Sequence, residues 1–245
     1  MIPSWCHGCA NFLILKAVED LVKKEKVNGK KDEDFAIVTG IGCHGKIFDY
    51  LNLPGINTLH GRAIPTAMGI KLAKPNLNVF GFAGDGDAYA EGVEHLVHAA
   101  RYNPDIRYIV HNNQTFALTL GQNTPTSPNS NIPPLNPIKL MLATGATFVA
   151  RASPNLDEIK QILEEAMKHK GFAFIEVLIQ CKIFNKNIQE RKFYNLQKAG
   201  HDKSNLKSAF ERADEFDYTS DKEKIPTGIF YQNERKTFED IKWQK

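Results

Sequence analysis

Two short turns constrain this chain more than anything else in it. Gly84-Asp85-Gly86 ends the apolar run Asn78-Val79-Phe80-Gly81-Phe82, and Asn112-Asn113 ends the run Arg107-Tyr108-Ile109-Val110-His111. The 25 residues from Asp87 to His111 separate them, which is room for one helix and one strand. That spacing predicts a βαβ unit whose two strand ends lie side by side. Aspartate and asparagine there offer hard oxygen ligands suited to Mg²⁺ on a diphosphate. The glycines let backbone N–H groups reach phosphate oxygens, and the following helix adds its positive N-terminus. Taken singly, each turn reads as an ordinary Asp-Gly or Asn-Asn β-turn. Their pairing at this spacing favours the site.

The same alternation extends along the chain. Phe12, Leu15, Val18 and Leu21-Val22 recur at helical spacing, predicting a helix over about 10–26. Phe35-Ala36-Ile37-Val38 reads as a buried strand ending in the glycine-rich loop Thr39-Gly40-Ile41-Gly42-Cys43-His44-Gly45. Further helices are predicted at about 64–72, 91–102 and 155–169, and a strand over Ala173–Ile179 leads to Cys181. Residues 124–137, rich in Pro, Asn, Ser and Thr, read as a long functional loop. Strands alternating with helices define an α/β fold, a parallel sheet sandwiched by helices. Ligands in such sheets bind at the carboxyl ends of the strands, where all the unusual residues fall.

Four cysteines add a second chemistry. Cys6 and Cys9 form a C-x-x-C pair, and Cys43 and Cys181 bring the number to four, the count that a zinc ion or a [4Fe–4S] cluster takes. Spacing alone does not choose between the two metals, and small buried thiols remain a third reading. A disulfide framework is not expected in a chain this size, which reads as cytoplasmic: it opens without the basic and apolar stretches of a signal peptide, and no apolar run approaches the roughly 18 residues that span a bilayer.

Charge is uneven. Residues 182–245 carry 14 Lys+Arg and 11 Asp+Glu, against 17 of each sign in the rest. So mixed a charge gives no footprint for nucleic acid. Two regions follow: residues 1–181, holding the expected site, and a charged extension, 182–245. The extension is too short and polar for a second α/β domain. Phe193, Tyr194, Phe210, Phe216, Phe230, Tyr231 and Trp243 suit an arm packed on a partner or folded back on its own body.

In order, Trp5-Cys6-His7-Gly8-Cys9, Gly40-Ile41-Gly42-Cys43, Leu59-His60-Gly61-Arg62-Ala63-Ile64-Pro65, Gly84-Asp85-Gly86-Asp87 and His111-Asn112-Asn113 resemble the β subunit of 2-oxoacid:ferredoxin oxidoreductases. Asn136-Pro137 and Ile225–Tyr231 are similar too, so the resemblance covers nearly the whole chain. It implies a thiamine-diphosphate-binding fold, with one [4Fe–4S] cluster on Cys6, Cys9, Cys43 and Cys181. Mg²⁺ is implied on the side chains of Asp85 and Asn113 and the carbonyl of Thr115. Ile41, Gly42, Cys43, His44, Gly84, Gly86, Asp87, Ala117 and Leu118 are implied to line the cofactor. His60 and Arg62 either approach the diphosphate or cap the helix after them.

The implied activity is coenzyme A-dependent oxidative decarboxylation of a 2-oxoacid, with 2-oxoglutarate or a broad range slightly favoured over pyruvate. Electrons pass through the cluster to ferredoxin. An α subunit, which supplies the activating carboxylate, completes an obligate hetero-oligomer. The alternative is a non-redox thiamine decarboxylase or carboligase subunit with structural zinc. Three positions depart from the family pattern: His7 stands where many relatives have Pro, His44 where many have Ser, and Leu120 where some have Lys or Gly. The histidines read as solvated surface groups or as groups that raise the cluster potential. Leu120 leaves any contact with coenzyme A on this chain open.

Overall fold

The structure, a computed structural model, describes residues 4–128, 130–185, 191–219 and 224–242. Helix α1 (Asn11–Val27) opens it, followed by β1 (Phe35–Thr39), the short α2 (Ile47–Leu51) and β2 (Gly55–Asn57). Next come α3 (Ala63–Ala73), β3 (Asn78–Gly84), α4 (Val93–Tyr102) and β4 (Ile106–Asn112). Then α5 (Pro137–Thr144), β5 (Phe148–Ala152), α6 (Leu156–Lys168) and β6 (Ala173–Leu178) complete the main α/β body. The rest forms β7 (Phe193–Asn195), α7 (Leu206–Ala213), β8 (Ile225–Gln232) and α8 (Phe238–Lys242).

The eight strands make one sheet in the order β2-β1-β3-β4-β6-β5-β8-β7, parallel throughout except for the β5–β8 pair. Strands β1, β4, β5 and β6 are buried along their full length, as a sheet covered on both faces requires. On one face α1 and α6 lay Ile14, Val18, Leu21, Ile159 and Leu163 against Phe80, Phe82 and Ile175. On the other, α3, α4, α5 and α7 cover Val79, Tyr108, Val149 and Phe174. Three helices start alike: Asn136, Asn155 and Asn205 accept from the backbone N–H three residues on, before α5, α6 and α7. Each cap satisfies one N–H that the first turn leaves free.

Helices and strands expected from periodicity are present, while α2, β2, α5, β5 and the elements after Cys181 add to them. Residues 113–136 hold no helix or strand among those described. The extension is not a free arm. Strand β8 lies between β5 and β7, Phe216 and Phe230 are buried in this chain's own body, and Phe193, Tyr194, Phe210 and Tyr231 pack against its cores. Of the two readings of the tail aromatics, these residues follow the one in which the extension folds back on its own body; Trp243 lies outside the described residues. Among the described residues no helix is long and apolar enough to cross a membrane.

Candidate active site

The carboxyl ends of β1, β3, β4 and β6 open on a cleft. It collects Ile41, Gly42, Cys43 and His44 from the loop after β1, and Gly84 to Asp87 from the turn after β3. Asn113, Thr115, Ala117 and Leu118 come from the loop after β4, together with Phe116. His60 also lines it. Arg62 does not: its guanidinium donates to the Glu91 carbonyl (3.0 Å) and stands at the start of α3 without a side-chain cap bond. Its backbone carbonyl, in turn, accepts from Thr66 Oγ1 at 3.0 Å.

Asp87 organises the walls. Its Oδ1 accepts from the N–H groups of Gly61 (2.7 Å) and Ile41 (3.2 Å) and lies 3.1 Å from His60 Nδ1. Its Oδ2 has no hydrogen-bond partner, the nearest polar group being His44 Nε2 at 3.5 Å. Gly42 takes φ +149°, a conformation that L side chains rarely adopt, and this turns the chain so that His44 points inward. His44 is 3% exposed, so it is no solvated histidine, whereas His7 is exposed. His111 Nδ1 meets Asn11 Oδ1 at 2.9 Å, and its Nε2 is buried without a partner. Burial, and then the neighbouring His44, hold His111 well below the usual imidazole range. Sequence reasoning missed His111, Asn11 and Phe116; only position, at a strand end and a helix start, could have flagged the first two.

Asp85 is buried, yet its carboxylate is thinly supported. Oδ1 accepts from Asn113 N at 3.4 Å, Thr126 Oγ1 lies 3.5 Å from Oδ2, and Thr124 adds a side-chain hydrogen bond. Burial pushes its pKa up to about 7. A buried carboxylate so poorly compensated is what a divalent cation would stabilise, and Asn113 adds an amide oxygen beside it. That oxygen also accepts from Thr115 N (3.1 Å), and the Thr115 carbonyl accepts from Ala117 N (2.8 Å), leaving each a second lone pair. These residues fit a metal–diphosphate group. Asn112 is different: fully buried, it serves as scaffold, donating to Glu176 at 2.8 Å.

The cysteines gather on the α1 side. Cys6 and Cys9 sit on a turn before α1, closed by Cys9 N–H to the Cys6 carbonyl (3.0 Å). Cys181 follows β6 and pairs with Asn185, whose side chain donates to the Asn113 carbonyl at 3.0 Å. Burial raises the Cys9 and Cys43 thiols; Cys9 also feels Cys6 and Cys181, and Cys43 feels all three other cysteines. The Phe184 N–H points at Cys181 Sγ (3.4 Å), and Lys46 favours the thiolates of Cys9 and Cys43. Among the described residues no three Cys, His, Asp or Glu side chains stand close enough together to hold a metal ion.

A parallel sheet whose strand ends carry a glycine-lined cleft, with a buried Asp and an Asn at its floor, defines the diphosphate-binding domain of thiamine enzymes. The family model for the C-terminal thiamine-pyrophosphate-binding domain of such enzymes matches residues 40–177. That for the C-terminal part of the pyruvate ferredoxin oxidoreductase β subunit matches residues 182–244. The chain belongs to the 2-oxoacid:ferredoxin oxidoreductase β-subunit family, and is thus a subunit of an oxidoreductase. It is 40% identical to the 2-oxoacid:ferredoxin oxidoreductase subunit beta of Saccharolobus solfataricus, across 94% of this chain and 82% of that one. To the 2-oxoglutarate synthase subunit KorB of Archaeoglobus fulgidus it is 42% identical, across 74% and 71%. A structure of 2-oxoglutarate:ferredoxin oxidoreductase from Magnetococcus marinus, with 2-oxoglutarate, coenzyme A and succinyl-CoA bound, superposes with TM-score 0.88 at 32% identity, covering 98% of this chain and 85% of that one.

Proposed function

We propose that this chain carries the thiamine diphosphate, Mg²⁺ and [4Fe–4S] cluster of an enzyme that oxidatively decarboxylates a 2-oxoacid to an acyl-CoA and CO₂, with ferredoxin as electron acceptor. The observation that carries the reading is one loop. Residues 41–44 line the cofactor cleft, and Cys43 within them feels the other three cysteines, so the same backbone touches both sites. Thiamine diphosphate supplies the carbanion chemistry that releases CO₂ from a 2-oxoacid, as cofactors of this kind carry the difficult step.

The protein's part is binding, orientation and the exclusion of water. Asp85, Asn113 and the Thr115 carbonyl hold the metal. Asp87 fixes the Ile41 and Gly61 amides against the diphosphate end. Phe116, Ala117, Leu118 and Ile179 make the wall apolar, which strengthens every charge interaction within. Four cysteines match a cluster in which each iron takes one thiolate, and Cys43 feels the other three.

A second subunit completes the site. Ile41 and Leu118 at the cleft, and Leu120, Ile183 and Phe184 in the segments that follow β4 and β6, are exposed apolar groups. An α subunit seated there covers them and supplies the pyrimidine half and its activating carboxylate. The relatives named for 2-oxoglutarate, and the Magnetococcus marinus structure with that acid bound, favour 2-oxoglutarate or a broad range over pyruvate. Leu120 is 81% exposed and offers coenzyme A phosphates no charge, so cations elsewhere in the complex bind them. The test is turnover by the chain assembled with its α subunit. With coenzyme A and ferredoxin, 2-oxoglutarate reduces ferredoxin at a higher kcat/KM than pyruvate does; reduction by the β chain alone, or by neither acid, contradicts the reading.

A further inference from the structure

A buried polar network connects the C-terminal extension to the floor of the cleft. Glu176 on β6 is fully buried, and its carboxylate is filled by four donors. Oε1 accepts from Asn112 Nδ2 (2.8 Å) and Tyr89 OH (3.3 Å), and Oε2 from Arg151 Nε (2.8 Å) and Tyr218 OH (2.6 Å). Arg151 also donates to Tyr218 OH (2.7 Å) and to the Pro226 carbonyl (3.3 Å), under the rings of Phe216 and Phe230. Tyr218 is completely buried at φ +66°, an outlier for a bulky side chain that persists only where its surroundings over-determine it.

Asn112 has only one way to satisfy this. Because its NH₂ faces Glu176, its Oδ1 must face the other way, where it accepts from Gln114 N (3.0 Å) and Thr126 Oγ1 (3.0 Å). Gln114, next to Asn113, takes φ +58° and is clamped by its side-chain bond to the Thr126 carbonyl (2.7 Å). Thr126 has a single hydroxyl proton and three acceptors in reach: Asn112 Oδ1 at 3.0 Å, Thr124 Oγ1 at 3.4 Å and Asp85 Oδ2 at 3.5 Å. With Asn112 oriented by Glu176 the proton goes to Asn112. Asp85 Oδ2 is then spared the Thr126 proton, which leaves that lone pair for a cation.

We infer that Glu176, held by Arg151 and by Tyr218 of the extension, is a positioning residue for the metal site: it sets the Asn112 amide, which draws the Thr126 proton away from Asp85. The inference rests on the Mg²⁺–diphosphate reading above. In Glu176→Gln the carbonyl oxygen must face Arg151, so the new NH₂ faces Asn112 and turns its amide over. Asn112 then offers Thr126 a donor, and the Thr126 proton moves to Asp85, in competition with the metal.

The test uses the α–β complex stripped of cofactor, with Mg²⁺ titrated calorimetrically at saturating thiamine diphosphate. Glu176→Gln is expected to weaken Mg²⁺ at least tenfold, and Tyr218→Phe about threefold. Half-saturating Mg²⁺ for turnover rises by the same factors, while kcat at saturating Mg²⁺ changes less than twofold. Adding Thr126→Val to Glu176→Gln removes the misdirected proton and is expected to restore at least threefold in affinity, which relief of a merely structural defect would not do. Should Glu176→Gln fail to assemble, Tyr218→Phe, which keeps its ring, decides alone. Affinities within twofold of the unaltered complex, or no recovery in the double variant, overturn the inference and leave the cofactor reading intact. An unaltered complex that binds no Mg²⁺ with thiamine diphosphate overturns both.

Discussion

The indole Nε1 of Trp5 donates to the backbone carbonyl of Cys43 at 2.7 Å, tying the segment that carries Cys6 and Cys9 to the cleft loop. Trp5 also packs edge-on against Phe12 and Tyr50, and Lys46 reaches the Ser4 carbonyl (3.2 Å). The C-x-x-C turn is therefore anchored through one aromatic residue. Trp5→Phe keeps part of the packing and deletes the hydrogen bond, which costs ~1 kcal/mol. Iron content after anaerobic purification is expected to fall, and alkylation of Cys6 and Cys9 to speed up, while the Asp85–Asn113 side of the cleft still binds Mg²⁺.

Asp85 gives the apo protein a defined response to pH. Its folded pKa, about 7, lies above the ordinary carboxylate value, so the folded state binds a proton more tightly than the unfolded chain does. Stability is therefore lost as pH rises from about 4 to about 7, by roughly 4 kcal/mol in total, and is flat above that. Without metal, Asp85→Asn should melt above the unaltered protein at pH 7.5, with the gap narrowing at pH 5. In the loaded complex the order reverses, because the amide cannot replace the carboxylate on Mg²⁺. Thermal melts at the two pH values, with and without cofactor, check both signs.

Arg151 and Glu176 form a fully buried ion pair. Arg151→Met leaves Glu176 as a buried charge without its cation and should cost ~3–5 kcal/mol in denaturant unfolding. Arg151→Met combined with Glu176→Leu removes both charges and is expected to recover most of that stability. Recovery of folding without recovery of Mg²⁺ affinity is the expected signature.

Two glycines should respond in opposite ways to alanine. A Cβ at Gly40 would lie 1.9 Å from Asp87 Oδ2, a carboxylate already held by two backbone amides, so Gly40→Ala should cost about 2 kcal/mol or more and impair thiamine diphosphate binding. Gly69, inside α3, has no atom within 4 Å of an added Cβ. Gly69→Ala should stabilise by ~0.5–1 kcal/mol and leave binding unchanged.

Much of this architecture is legible because strands buried on both faces read as unbroken apolar runs, and the residues that end them, Gly84-Asp85 and Asn112-Asn113, are of the opposite kind. What escaped did so for physical reasons. Strand β5 carries Arg151 in its middle, a charge whose partner is supplied by Glu176, 25 positions away. Strand β8 contains Pro226 and Gly228, both depleted in strands, so its similarity to the family was visible while its place in the sheet was not. His44 gives no local sign that a +149° turn at Gly42 buries it against Asp87. Arg62 follows His60-Gly61 closely in sequence, yet the start of α3 directs it to Glu91 instead.

The most direct measurement is the metal content of the chain purified without oxygen and assembled with its α subunit. About four irons and four acid-labile sulfides per chain, with a reduced-cluster signal in electron paramagnetic resonance that is lost when Cys43 is replaced by Ala, is the expected result. One zinc and no iron under the same handling would contradict the electron-transfer role, leave the thiamine diphosphate cleft in place, and move the chemistry to a non-redox decarboxylation.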